Sequence, residues 1–232
     1  MTTIDINFDF REESKGRDPD RWSPTLQSYH QILWNKNLPN GKLFSLTKSD
    51  QNRLYHQSEL GEFYLSSDVV LYSCVRQCLL LPFVVQEISE FELNSFKKLT
   101  INTIGGMLIW PSKRVDGKIT INGIRGFNRL ISDRLDLTLE CIRRHYVNEI
   151  SPLSVTLNRY SNFFSLFSNF RGYIDFFLLQ DYIDKNENVL FSLPFDNFNS
   201  SPLPTNIEEF KKFMTHTTEL INKRNHRISQ IS

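Results

Sequence analysis

Cysteine is scarce in this chain: Cys74, Cys78 and Cys141 are the only three in 232 residues. Cys74 and Cys78 stand four apart, as on one helical face, but no second pair completes a zinc frame. Three is also an odd number for a disulfide scaffold. The three read as free, buried thiols in a reducing cytoplasm. Long apolar runs are missing as well. The longest, "LLLPFVV" near 79–85, falls far short of the roughly 20 residues a membrane span requires. Residues 1–20 are polar and acidic, with no signal-peptide core. The expectation is a soluble, intracellular protein, cytoplasmic and without a membrane partner.

Net charge is nearly absent, at +1, so no global field draws the chain to nucleic acid or membrane. The familiar catalytic signatures are also missing. There is no GxSxG, no HExxH, no Walker loop, no dinucleotide glycine fingerprint, and no Cys with an obvious His partner. Neither a cofactor nor a metal can be named from the residues.

What is present suits one globular unit. Hydrophobic residues make up 40% and charged residues 23%, and a chain of this length buries a core without staples. Phe is unusually common, at 19. "IDINFDF" alternates apolar and polar residues, which predicts a half-buried strand. Ser23-Pro24 predicts a helix start for 24–35. Asn40-Gly41 marks a turn. "GEFYLSSD" predicts a short strand whose Ser66, Ser67 or Asp68 caps a helix over 69–78. Residues 87–99 read as helical.

The runs on either side of Pro111, Asp116 and Gly117 suggest a hairpin, and Gly105-Gly106 a close backbone approach. From about 127 the period becomes helical. Ile131, Leu135, Leu139, Ile142 and Tyr146 share one face; Leu153 to Phe167 follow as a second helix. "FRGYIDFFLLQDYI", apolar nearly all round, is expected at the centre of the core. "VLFSLPF" reads as a last short strand, and Thr205 with Glu208 as the capping box of a final helix to about 228. The fold class is α+β: a single domain over 1–232, with a small N-terminal sheet or hairpins before a mostly helical C-terminal half.

Several stretches carry a resemblance. "RDPDRWSPTLQSYHQILWNKNLPNGK", "LGEFYLSSD", "NTIGGMLIWP", "SDRLDLTLECIRRHY" and "NRYSNFFSLFSNFRGYIDFFLLQD" resemble an uncharacterised bacterial protein family, a domain of unknown function. The recurring phrases are SPTLxxYHQxLW, LGEFxLSSD and DLTLECIRR. The likeness spans roughly residues 8 to 228. It implies a bacterial single-domain protein and brings no activity or catalytic residues with it.

Candidate chemistry therefore comes from the residues alone. Arg129, Asp133, Asp136, Glu140, Arg143 and Arg144 gather on one helical face. They are either a metal or acid–base site beside a phosphate clamp or a solvated face of i,i+4 pairs. Arg125, between Gly123 and Gly126, is placed to approach a phosphate or to serve an ordinary turn. His30 sits in an apolar stripe, either at the core edge or lining a cleft beside Asp18, Asp20 and Arg21. Arg171 is the natural partner of Asp175. The leading reading is an enzyme acting on a phosphorylated ligand, a nucleotide or nucleic acid. His30, Asp136 and Glu140 would handle protons, and Arg125, Arg143 and Arg144 would hold phosphate. The alternative is a non-catalytic helical interaction module whose Phe-rich helices form a core, with or without a homodimer face.

Overall fold

The computed structural model describes residues 3–49, 53–69 and 87–231. Cys74 and Cys78, with the helix expected over 69–78, lie outside the described residues. The chain opens with two single-turn helices, α1 (Phe10–Glu13) and α2 (Pro19–Trp22), and then α3 (Pro24–Trp34). The start of α3 follows its residues closely. Ser23 Oγ accepts the Leu26 N–H at 3.0 Å and Pro24 fills the first turn. "IDINFDF" forms no strand. Asp9 accepts the Glu12 N–H and caps α1 instead. Phe8 and Phe10 pack on Tyr29 of α3, so the alternation serves helix packing rather than a ladder.

Two antiparallel sheets follow. β1 (Lys36–Asn37) and β2 (Leu43–Phe44) enclose the Asn40-Gly41 turn, with Gly41 in the left-handed region at φ +80°. The larger sheet is an antiparallel meander in the order β3 (Thr47–Lys48), β4 (Leu54–Ser58), β5 (Gly61–Val69), β6 (Met107–Pro111). β5 runs through Ser66, Ser67 and Asp68 as strand, so these residues cap no helix. The second half of the expected hairpin is absent: Thr120 caps α5 (Ile121–Phe127), and its hydroxyl accepts from Gly123 N. Before β6 come α4 (Glu90–Lys97), whose Ser89/Glu92 capping box is complete, a π-turn and a 3₁₀ turn. Gly105 and Gly106 do mark a close approach. A Cβ on the first would collide with the Asn225 amide, and on the second with the Thr100 carbonyl.

The second half is helical: α6 (Leu135–Tyr146), α7 (Ser154–Arg159), α8 (Ser161–Ser165), α9 (Phe170–Phe176) and α10 (Ile207–Ser229). The helix expected over 153–167 is broken at Tyr160, whose hydroxyl donates to the Lys113 carbonyl. The central helix ends early because Leu178 turns into the left-handed region at φ +57°. Its Asp175 is not buried. It pairs with Arg171 at 2.8 Å on the outward face. "VLFSLPF" contributes one bridge, Val189 to Ile183, and no strand. The cap of α10 is Asn206 with Glu209, one residue beyond the expected box.

The core is aromatic and lies between the meander and these helices. Trp110 of β6 donates to the Tyr173 hydroxyl of α9 at 3.0 Å, and Phe63 of β5 meets Phe163 of α8 edge-on. Phe177 touches Trp34, Phe167, Tyr173 and Phe176. Arg224 of α10, fully buried, donates to the Gly105 and Met107 carbonyls at 2.7 Å each and to Phe177 O at 3.3 Å. Four faces of aromatic packing end on Phe177, so Phe177→Ala should cost about 3–5 kcal/mol through lost transfer energy and an unfilled cavity. Chemical denaturation measures this; a cost below about 1 kcal/mol would show that the core lies elsewhere.

Candidate functional site

The site is built where α2 meets the end of β5. β4 stops at Leu54, opposite Leu65, so β5 runs on beyond its neighbour. Asp20 fills that edge. Both of its carboxylate oxygens accept the Ser67 N–H, at 3.0 and 2.9 Å. Asp18 caps α2 by accepting the Asp20 N–H, and Gln27 Nε2 donates to the Asp20 carbonyl at 2.6 Å. Glu13 accepts from the Ser23 and Thr25 hydroxyls and ties α1 to the α2–α3 corner. A side chain held at both ends this way cannot swing freely.

Asp18 and Asp20 form the wall shared by two hollows. The outer one, about 450 Å³, also takes Arg21, Arg53, Ser66 and Ser112. The inner one, about 190 Å³, takes Arg11, Ser67, Asp68, Met107 and Asp133. Burial pushes the Asp20 carboxyl up to about 7, and the neighbouring Asp18 and Asp68 add to the push; the Ser67 N–H and Arg21 work the other way. Burial likewise drives Asp68 up to about 7, aided by Asp133 and opposed by Arg125. Among the described residues no group of three or more His, Cys, Asp or Glu is arranged to hold a metal ion.

His30 stands directly behind this wall and is wholly buried. Its Nε2 lies 2.9 Å from Ser67 Oγ, the distance of a nucleophile–base pair. The tautomer is wrong for that role. Trp34 Nε1 can only donate, and it points at His30 Nδ1 at 3.0 Å. Nδ1 is therefore the acceptor, and the ring proton sits on Nε2. His30 donates to Ser67, whose hydroxyl faces Met107 Sδ at 3.6 Å. Burial, with Arg224 nearby, pushes the His30 pKa down to about 3. The imidazole is a buried, neutral strut between Trp34 and Ser67.

Arg125 is also inward. It is fully buried, 2.6 Å from Asp68 and stacked over Trp110 at 4.4 Å. Its other nitrogens donate to Thr138 Oγ1 and to the Asp133 carbonyl, both at 2.9 Å. A guanidinium so enclosed positions β5 and does not meet a phosphate.

The other expected residues lie on α6 and pair among themselves. Asp136 accepts from Arg134 Nε and Nη2 and from the Leu137 and Ser192 N–H groups. Burial pushes its pKa up, but those donors outweigh burial and hold it below the ordinary range. Glu140, only 5% exposed, binds both Arg143 (2.8 Å) and Arg144 (2.7 Å). Burial raises the Glu140 pKa, and the two arginines more than reverse this. Arg144 also lies over the Phe195 and Phe198 rings. The face is thus neither solvated nor an open clamp. His30 and Arg125 back the hollows from behind, while the other four serve α6. The residues that line the hollows, Asp20 and Asp68 first, were visible only as a charged "DPDR" loop and the end of "LSSD".

Two measurements check this electrostatics. Asp20 moves from near 3.8 to about 7 on folding. The fold therefore takes up a proton at pH values between these, and stability falls as pH rises through that window. Asp20→Asn keeps an acceptor for Ser67 and removes the titration. It should melt higher than the parent at pH 8 and show no such gain by pH 4. The His30 ring should stay in the neutral Nε2–H form to below pH 5 by ¹⁵N NMR; a midpoint near 6.5 would place it in contact with solvent.

No curated protein and no solved structure is matched by the chain. Among the described residues no helix is long and apolar enough to cross a membrane. A family model does match, over residues 4–228, and by it the chain belongs to DUF6994, a family of unknown function.

Proposed function

We propose that the chain is an enzyme acting on a phosphorylated ligand of nucleotide size, bound in the paired hollows between α2 and β5. The observation that carries this reading is the place of Asp20. Its carboxyl is fixed by Ser67 at 3.0 and 2.9 Å and divides a larger hollow edged by Arg21 and Arg53 from a smaller one edged by Arg11. Guanidinium groups on the rim suit the phosphate, and a fixed carboxyl at the centre suits proton transfer. A carboxyl that titrates near neutrality serves as acid or base, and in its protonated form it does not repel an anionic ligand. Asp68, held by Arg125, is the second carboxyl within the inner hollow. His30, Arg125, Asp136, Glu140, Arg143 and Arg144 hold the frame. The Phe residues behind the alternative interaction module, such as Phe163, Phe164, Phe167 and Phe177, are fully buried and serve the core.

The test is binding of nucleoside mono-, di- and triphosphates by calorimetry, followed by turnover of whichever binds. Arg21→Ala/Arg53→Ala should weaken binding at least tenfold and leave the melting temperature within 2–3 °C, since both side chains are exposed (about 0.5 kcal/mol for surface changes). Asp20→Asn should bind normally and lose turnover by roughly 10²–10⁴-fold, as for loss of a general acid or base. Parent affinity should fall as pH rises through about 7. Unaltered affinity in the double variant would remove the ligand from these hollows.

A further inference from the structure

A second cavity lies on the far side of the turn that supplies Asp133. It has a volume of about 400 Å³, and its polar lining is Arg129, Ser132, Asn199, Ser200 and Ser201. Three features set it apart from the cleft. First, no carboxylate lines it, so its only formal charge is the Arg129 guanidinium. Second, Arg129 differs from its sequence neighbours. Arg125, Arg134, Arg143 and Arg144 each pair with an Asp or Glu, whereas Arg129 makes no ion pair among the described residues. Third, the mouth carries Phe127, which is 79% exposed although a large ring is costly to leave in water.

The backbone around this cavity is held in costly conformations. Ser132 (φ +46°) and Asp133 (φ +59°) are consecutive non-glycine residues in the left-handed region, and so are Asn197 (φ +62°) and Phe198 (φ +63°), just before Asn199. The left-handed region is most costly for Ser132 and Phe198, and such strain gathers at ligand clamps. The first pair has a definite result: Ser132 lines this cavity, and the next residue, Asp133, lines the inner hollow of the cleft. Asn199 Nδ2 already donates to the Asp196 carbonyl and Ser200 to the Asp196 carboxylate, which leaves the second Asn199 amide hydrogen, the Ser132 and Ser201 hydroxyls and the Arg129 guanidinium as the donor set for a tetrahedral oxyanion. An exposed ring beside them offers a stacking face to a planar base.

We infer that the cavity formed by Arg129, Ser132, Asn199, Ser200 and Ser201 is a second binding site, which takes a nucleoside monophosphate with its phosphate on Arg129 and its base on Phe127. This inference stands on residues separate from those of the cleft. A ligand seated here would touch the same strained turn that carries Asp133.

The experiment uses the full chain with Arg21→Ala/Arg53→Ala already in place, so that failure of the cleft reading cannot mask the result. AMP and inorganic phosphate are each titrated and followed by calorimetry and backbone amide NMR. AMP should bind about tenfold more tightly than phosphate and move the amide signals of residues 127–133 and 199–201. Adding Arg129→Ala should abolish binding of both. Adding Phe127→Ala should bring AMP down to the affinity of phosphate and leave phosphate unchanged. Both side chains are exposed, so the fold should survive either change. Binding that is indifferent to Arg129→Ala, or absent from the Arg21→Ala/Arg53→Ala background, would overturn the inference.

Discussion

The buried guanidinium of Arg125 is the point on which the architecture turns. It joins the end of β5 through Asp68, the turn before α6 through the Asp133 carbonyl, α6 itself through Thr138, and β6 through the Trp110 ring. A charge enclosed this fully is tolerated only when its hydrogen bonds are met and a counter-charge is at hand. Asp68 at 2.6 Å is that counter-charge. Because Asp68 also faces the inner hollow, the ion pair that holds the fold together sets the electrostatics of the cleft as well. Core and site share one charge balance.

Arg224 solves the same problem differently. Among the described residues it has no carboxylate partner, and it relies on backbone carbonyls at the 3₁₀ turn before β6 and at the end of α9. Burial lowers its pKa to about 10, so it stays protonated at neutral pH. It brings α10 against the segment that aims β6 at the helices, and the same closeness excludes a side chain at Gly105. Carbonyl dipoles are weaker counterparts than a carboxylate, but several converge, which is how a cation can remain in an aromatic core.

Local signals were legible where one residue type decides the outcome. Ser23-Pro24 marked the start of α3 and Asn40-Gly41 the turn between β1 and β2; the helical period read from about 127 holds over 135–146, where α6 forms, and not over the turn at 128–134. They failed where two local signals compete. "IDINFDF" alternates like a strand, yet Asp9 is a strong cap and among the described residues no strand pairs with it to form a ladder. The stretch after Gly117 is rich in β-branched residues, yet Thr120 caps a helix. The site was less legible than the fold because its defining bond joins Asp20 to Ser67, 47 residues apart. His30 was a fair candidate on spacing. Only Trp34, one turn later and aimed at Nδ1, reveals which nitrogen carries the proton.

The bond from Ser67 to Asp20 has a bearing on self-association. Beyond Leu65, β5 keeps β6 on one side but outruns β4 on the other, and a strand edge with no partner strand among the described residues is a template for another chain to add to. Asp20 occupies the donor that an incoming strand would need first, and it places a carboxyl where that strand's backbone would lie. An acidic plug of this kind works best when ionised. The guard against edge-to-edge pairing is therefore strongest above neutrality and relaxes in mild acid, as the Asp20 carboxyl takes up its proton.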